Sequence, residues 1–375
     1  MENLKCTGCS ACVNICPHSC ITMKEDNEGF LYPCRDMETC INCGLCENVC
    51  PLNLNHSTQN NPLSIFACRV NAENNLINSS SGGMFGMIAT DFIKSHGVVV
   101  AACFDENNKV VHDVITTVAQ IESYKRSKYS QSDLGFVFKE IRKIIKAGTK
   151  VLFVGTPCQV AGLLAFLRKP YDKLYCIDFV CHGVPSPGVW KEYLKTLGMG
   201  ISNINFRDKE TGWPNYSFSY VKKGVKHRQI ASQNPYMRGF LHDLYLRPSC
   251  YECKFKGFNS GSDVTMSDFW GVWKNFPKWN DQKGAGILAI NSSKGQLLLD
   301  MLDKNMYEHV DVTIQQAYID YNSSAYHCAS YNPKRDMFFS RFKKEALVPL
   351  IVELSKDSLV VRIKNTLSRM KHKII

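Results

Sequence analysis

The chain has 375 residues, 45% hydrophobic and 21% charged, with a net charge of +11 at pH 7. That is the balance of an ordinary globular protein with room for two or three domains, and it excludes a disordered or fibrous chain. Its 18 cysteines, with no apolar leader ahead of the first, argue against a secreted disulfide framework and set the expectation of a reducing, cytoplasmic compartment with thiols held for metal. No apolar run approaches the roughly 18 residues needed to span a bilayer; residues 98–104 are the longest candidate.

The first stretch carries one cysteine spacing twice. Cys6, Cys9, Cys12 and Cys16, followed by Pro17, read C-x2-C-x2-C-x3-C-P, and Cys40, Cys43, Cys46 and Cys50, followed by Pro51, repeat it. Three thiolates of an iron–sulfur cubane can come from one tight loop, while the fourth cysteine of each run sits too far round and ligates the other cluster. Cys6, Cys9, Cys12 and Cys50 are therefore expected to hold one 4Fe–4S cluster, and Cys16, Cys40, Cys43 and Cys46 a second. A zinc ribbon or a disulfide framework is the blander reading of so many thiols. Gly8 and Gly44 suit loops that wrap backbone amides around sulfide, and the prolines stop further helix. Between the runs, residues 21–23 and 29–32 are expected as hairpin strands, with Cys20 and Cys34 structural. Such a small domain would be folded largely by its clusters.

Residues 53–62, rich in Asn with Ser, Thr, Gln and Pro, read as a linker. Beyond it strands and helices alternate: strands at 64–70, 98–104, 110–118, 150–155 and 173–180, and helices at 81–96, 133–147, 158–168 and 188–197. After residue 200 the order loosens, with strands expected at 201–206, 216–221 and 286–291. The fold class is thus a small α+β two-cluster ferredoxin domain (1–57) ahead of an α/β core with a mixed sheet and helical crossovers. The core is divided at 58–200 and 201–345.

Three loops of this core carry chemistry. Ser80, Ser81, Gly82 and Gly83 open a helix, where free amides and the positive helix end seat a phosphate, or where serine simply caps. Residues 125–132 bring Lys125, Arg126 and Lys128 together with Ser127, Tyr129, Ser130 and Gln131, which suits a diphosphate or a solvated loop. Thr156, Pro157, Cys158 and Gln159 form a strand-to-helix turn, and a helix N-terminus is expected to depress the Cys158 thiol. Cys181 ends the next strand, so its thiol should emerge on the same sheet edge as Cys158. Cys250 and Cys253 form a C-x2-C. These four thiols suffice for a third 4Fe–4S cluster; a flavin-adjacent Cys158 and a zinc-holding C-x2-C are the competing readings.

In order, Ser80-Ser81-Gly82-Gly83, Ser127-Lys128-Tyr129-Ser130-Gln131-Ser132, Gly155-Thr156-Pro157-Cys158-Gln159, Cys181-His182-Gly183-Val184-Pro185-Ser186, Cys250-Tyr251-Glu252-Cys253 and Ser267-Asp268-Phe269-Trp270-Gly271 closely resemble the coenzyme F420 hydrogenase/dehydrogenase beta-subunit family over roughly residues 64 to 330. The resemblance implies a core that binds FAD, with contacts from Ser80, Ser81, Gly82, Gly83, Ser127, Lys128, Tyr129, Ser130, Gln131, Thr156, Pro157 and Gln159. It also implies an oxidoreductase passing electrons between clusters and a flavin that exchanges hydride with a deazaflavin coenzyme or reduces an organic, even sugar-type, substrate. An electron-transfer subunit docked to a larger hydrogenase or dehydrogenase is the alternative. His182 and Asp268 are candidates for proton transfer, although a satisfied structural histidine is as good a reading.

Charge is uneven. Glu2, Glu25, Asp26, Glu28, Asp36, Glu38 and Glu47 outweigh Lys5, Lys24 and Arg35 in the first 55 residues, whereas residues 334–375 carry eleven bases against four acids. With no nucleic-acid-binding signature, the basic tail (346–375) is expected as an amphipathic helix that docks a redox partner protein or an anionic membrane surface, without inserting.

Overall fold

The computed structural model describes residues 5–54 and 61–356. In the N-terminal module β1 (Ile21–Glu25) and β2 (Leu31–Arg35) pair antiparallel. Each cysteine run turns into a short helix, Ala11–Ile15 and Leu45–Asn48, entered through the left-handed residues Ser10 and Gly44. The module's own apolar cluster is little more than Val13, Ile21, Cys16 and Cys20. It completes its core elsewhere: Cys9, Ala11 and Val49 are buried in one cluster with the helices Val137–Lys146 and Pro157–Leu167.

The remaining strands are β3 (Ser64–Val70), β4 (Val98–Phe104), β5 (Val110–Ile115), β6 (Val151–Val154), β7 (Leu174–Phe179), β8 (Ile201–Asp208), β9 (Ser217–Lys222), β10 (Val225–Ile230), β11 (Val264–Asp268), β12 (Gly286–Ile290) and β13 (Tyr307–Asp311). Eight of them form one mixed sheet in the order β13-β3-β12-β11-β7-β6-β4-β5. The central β11, β7, β6 and β4 are parallel, and the flanking strands pair antiparallel. The central strands are apolar runs because both faces are covered. Val99, Leu152 and Ile177 meet the Met84–Lys94 and Ser293–Asp300 side, while Val100, Phe153 and Cys176 meet the Pro157–Leu167 side.

Two expectations change. The division at residue 200 is not a break in the core, because β11, β12 and β13 return to the sheet that β3 to β7 begin. What separates is the three-stranded β10-β9-β8 sheet, which packs with Trp190, Tyr236, Phe240 and Tyr245. Nor does a tail begin at 346. Leu347, Leu350, Ile351 and Leu354 of the helix Leu347–Leu354 are buried in that aromatic cluster, so this stretch of the expected apolar stripe faces the core. Residues 357–375 lie outside the described residues, as do 55–60 of the expected linker. Among the described residues no helix is long and apolar enough to cross a membrane.

The module is bonded to the core along its length. Asn14 Nδ2 donates to Gly135 O (2.9 Å), Gln131 Nε2 to Thr7 O (2.9 Å), and Arg335 pairs with Glu28. Two glycines permit the approach: a Cβ on Gly162 would lie 2.7 Å from Cys9 Cβ, and one on Gly29 2.4 Å from Gly188 Cα. Gly162→Val is therefore expected to destabilise the protein by about 1–3 kcal/mol through overpacking, read as a lowered Tm. A melt identical to the parent's would show that this contact yields freely.

Candidate functional site

The cysteines gather in three places. Cys16, Cys40, Cys43 and Cys46 line one small cavity of about 20 Å3, together with Cys20, His18 and Arg35. Cys20 is less remote than its spacing suggested, its Sγ lying 3.3 Å from that of Cys16, and Arg35 Nη2 donates to Cys46 Sγ at 3.1 Å. This group is the distal one, with Cys43 exposed.

The second group is Cys6, Cys9, Cys12 and Cys50. Burial pushes the Cys12 thiol up to about 12, with the charges of Cys6, Cys50 and Cys46 adding to it. Burial also raises Cys9, which feels Cys6, Cys12 and the core residue Cys158. The second group therefore stands between the distal cysteines and the core.

The third group comprises Cys158, Cys181, Cys250 and Cys253, which line one cavity of about 30 Å3 with Thr7, Pro157, Arg247 and Lys256. β6 and β7 are adjacent and parallel, so the segments after them deliver Cys158 and Cys181 to one edge of the sheet. The Pro248–Glu252 turn brings up Cys250, and Cys253 follows it. Val184 N donates to Cys250 Sγ at 3.4 Å, and Thr156 Oγ1 lies 3.2 Å from Cys158 Sγ. The expected depression of Cys158 is reversed: burial pushes its thiol up to about 11, outweighing the Thr156 hydroxyl and the helix start. Burial likewise takes Cys181 and Cys250 up to about 12 and Cys253 to about 11. Among the described residues no three Cys, His, Asp or Glu side chains converge on a single-ion site. The thiols instead stand round the walls of cavities.

A far larger cavity, about 1030 Å3, opens at the C-terminal ends of β6, β7 and β11, where open α/β sheets bind ligands. Ser80, Ser81, Gly82, Gly83, Ser127, Lys128, Tyr129, Ser130, Gln131, Thr156 and Gln159 all line it. Pro157 does not; it faces the core cysteine cavity. Gly82 allows a close backbone crossing, since a Cβ there would lie 2.4 Å from Cys68 O. Gly83 takes φ 84° at the start of the helix Met84–Lys94, a conformation that favours glycine. The two polar loops are tied together, Ser127 N donating to Ser80 Oγ at 2.8 Å.

Lys128 is placed differently from a free anion-binding cation. Its Nζ donates to Tyr124 O, Lys125 O and Arg126 O at 2.9, 2.8 and 3.2 Å, which uses the whole donor capacity of an ammonium. Burial pulls its pKa down to about 7. Arg126 is likewise engaged, with Asn78 and Glu122. Lys125 pairs only at its tip with Glu122 (2.9 Å), and its stem lies over Gly86 in the first turn of Met84–Lys94.

The opposite wall was not foreseen from the sequence. Arg207, on β8, is buried with its fork on Asp268 (2.8 and 3.3 Å), a hydrogen bond to Tyr129 Oη (3.2 Å), and the rings of Tyr216 and Trp270 at 4.2 and 5.3 Å. Asp268 is thus a guanidinium's counter-ion and not a free acid. Lys209 Nζ reaches across to Ser81 O (2.7 Å) and Leu76 O (2.8 Å), buttressing the glycine loop. Both residues come from the end of a strand of the smaller sheet, and only their adjacency in Phe206-Arg207-Asp208-Lys209, at the end of an apolar-alternating run, could have flagged them. His182 Nε2 lies 2.5 Å from Asp243 Oδ1. The segment Cys181, His182, Gly183 and Val184 lines both the large cavity and the core cysteine cavity.

Two known families match the chain. Residues 148–314 match the C terminus of the coenzyme F420 hydrogenase/dehydrogenase beta-subunit family, and residues 5–54 match the 4Fe–4S dicluster domain. The chain carries the C-terminal domain of that beta-subunit family behind a 4Fe–4S dicluster domain. The dicluster match makes residues 5–54 an iron–sulfur module. Among solved structures the whole chain is similar to a chain of the F420-reducing NiFe hydrogenase complex from Methanosarcina barkeri, with 14% identity over 72% of this chain and 90% of that one and a TM-score of 0.51. At that identity the likeness is one of fold. No curated protein matches the chain.

Proposed function

We propose that the protein is a flavin- and iron–sulfur-dependent oxidoreductase, with three 4Fe–4S clusters and one FAD. The observation that carries this reading is the shared wall: residues 181–184 bound both the core cysteine cavity and the large cavity. Cys6, Cys9, Cys12 and Cys50 would hold one cluster and Cys16, Cys40, Cys43 and Cys46 another. Cys158, Cys181, Cys250 and Cys253 would hold the third, and their spread round a cavity suits a cubane better than a single zinc, whose ligands converge to about 2.0–2.3 Å from one point. Each bound cluster carries one electron at a time.

The large cavity fits FAD in donor chemistry as well as volume. Its amide-rich helix start, the serines and Lys125 would face an anionic diphosphate, and Tyr129, Tyr216, Trp270 and Phe240 line it with aromatic rings. When bound there, FAD supplies the junction between one-electron carriers and hydride chemistry. In the same wall the buried Arg207 guanidinium is held on Asp268, so the pair is a fixed, charged surface that orients what lies against it. The second substrate would be a deazaflavin coenzyme or an organic molecule such as a sugar derivative, entering past exposed Phe179 and Leu241. A subunit with no substrate of its own is the rival reading, favoured by the origin of the M. barkeri relative in a hydrogenase complex.

Anaerobic purification should yield one FAD and about 12 irons per chain, at four per cluster, and the isolated chain should reduce a deazaflavin or oxidise its reduced form with a viologen dye. Release of FMN alone, or of no flavin from well-folded protein, overturns the flavin assignment. Full cofactor content with no turnover favours the rival.

A further inference from the structure

Among the described residues three arginines are almost wholly buried, and two have carboxylates. Arg207 forks onto Asp268, and Arg335 pairs with Glu28. Arg247, with none of its surface exposed, has only neutral partners among the described residues. Its Nε donates to Cys6 O at 2.7 Å, Nη1 to Gln131 Oε1 at 2.9 Å and Nη2 to Leu31 O at 3.0 Å, and the guanidinium lies over the rings of Tyr32 and Phe30 at 4.1 and 5.3 Å. Guanidinium does not shed its proton in proteins, so this site cannot escape the cost of burial by becoming neutral. A buried cation without a counter-ion is strongly unfavourable, and its binding pocket is nevertheless built with care. Gly8 lacks the Cβ that would come 2.7 Å from Gln131 Nε2 and 3.0 Å from Arg247 Nη1.

What lies on either side of the cation is cysteine. On one side is the loop from Cys6 to Cys9, bonded to it through the Cys6 carbonyl. On the other it lines the cavity of Cys158, Cys181, Cys250 and Cys253. Four thiolates around a 4Fe–4S core leave a net negative charge, which each added electron deepens, and cluster potentials follow net charge and nearby dipoles.

Building on the three-cluster reading above, we propose that Arg247 is the shared counter-charge of two clusters, the one on Cys6, Cys9, Cys12 and Cys50 and the one on the core cysteines. It raises both potentials together and offsets the repulsion between two anionic centres held close. It is a positioning residue for electron passage into the core, acting through the clusters' charge. The distal cluster, on Cys16, Cys40, Cys43 and Cys46, lies outside its contacts and serves as an internal control.

The test is an EPR-monitored redox titration of the full-length, iron-loaded protein. In Arg247→Gln the reduction equilibria of two clusters should each fall about tenfold, a shift of about 59 mV for one electron, with the third unmoved. Arg247→Lys, which keeps the charge and loses the fork, should stay closer to the parent. Should Arg247→Gln fail to hold iron, Gln131→Glu decides: it leaves Arg247 in place, sets a carboxylate against it, and should lower the same two potentials. Parental potentials in an iron-replete Arg247→Gln or Gln131→Glu protein overturn the proposal alone. A parent with only about 8 irons removes one of the two clusters and overturns it together with the reading on which it rests.

Discussion

Cys158→Ala is expected to lower the iron content from about 12 to about 8 atoms per chain, with the ferredoxin-type EPR signals of the N-terminal module retained. The position is chosen for its isolation. Cys253 has a spare thiol nearby, since Cys328 Sγ lies 3.7 Å from Cys253 O, and Cys16 has Cys20; either neighbour could take over ligation in a simple substitution. Cys158 Sγ instead has the hydroxyl of Thr156 beside it. Removing one of four ligands takes the cluster, because three thiolates leave one iron open to solvent and oxidant. The same variant separates the competing readings. If Cys158 were a thiol beside the flavin, iron would be unchanged and the flavin potential would move. If Cys250 and Cys253 held zinc with ligands other than Cys158, the variant would keep that zinc and lose no iron. An iron content equal to the parent's removes the third cluster from the account.

The N-terminal dicluster module was legible because ligand spacing is a local property: three thiolates of a cubane can come from one loop, so the chemistry is written in consecutive residues. The central strands were legible for a related reason. Val98 to Phe104 and Val151 to Val154 are buried on both faces and therefore read as unbroken apolar runs. The glycine-rich loop was legible because only glycine readily tolerates the φ of Gly83 and the backbone crossing at Gly82.

What stayed hidden depends on residues far apart in the chain. Nothing local to Arg207 announces Asp268, 61 residues on, and nothing local to Arg247 announces Cys6, 241 residues earlier. Lys128 reads as a free cation in the sequence, yet the turn of its loop folds the ammonium back onto three carbonyls. Cys158 has the helix-start position that lowers a thiol pKa, but the module docked over it buries the sulfur and reverses the sign. The return of β11 to β13 was obscured because each is only five residues long, with long aromatic loops between them. Leu347–Leu354 has the pattern of a surface helix, and only the cluster of Phe240, Tyr245 and Phe338 shows that its apolar side is occupied.

Lys125→Glu is expected to weaken FAD binding at least tenfold, about 1.4 kcal/mol or more. Lys128 is the obvious target from sequence and the wrong one. Removing its ammonium would orphan three part-buried carbonyls and loosen the loop whether or not a ligand binds there. Lys125 differs in that its tip meets only Glu122, whose side chain is more than half exposed, while its own largely buried stem packs over Gly86. Its stem, however, crosses Gly86 and carries the charge over the first turn of Met84–Lys94, where the helix start already favours an anion. Reversal replaces one cation by an anion beside Glu122, so a diphosphate seated on residues 80–83 would meet two carboxylates. Titration of the flavin-free protein with FAD, followed by flavin fluorescence, measures it, and riboflavin, which lacks the diphosphate, should bind parent and variant alike. Equal FAD affinity in both proteins would place the diphosphate away from this helix start.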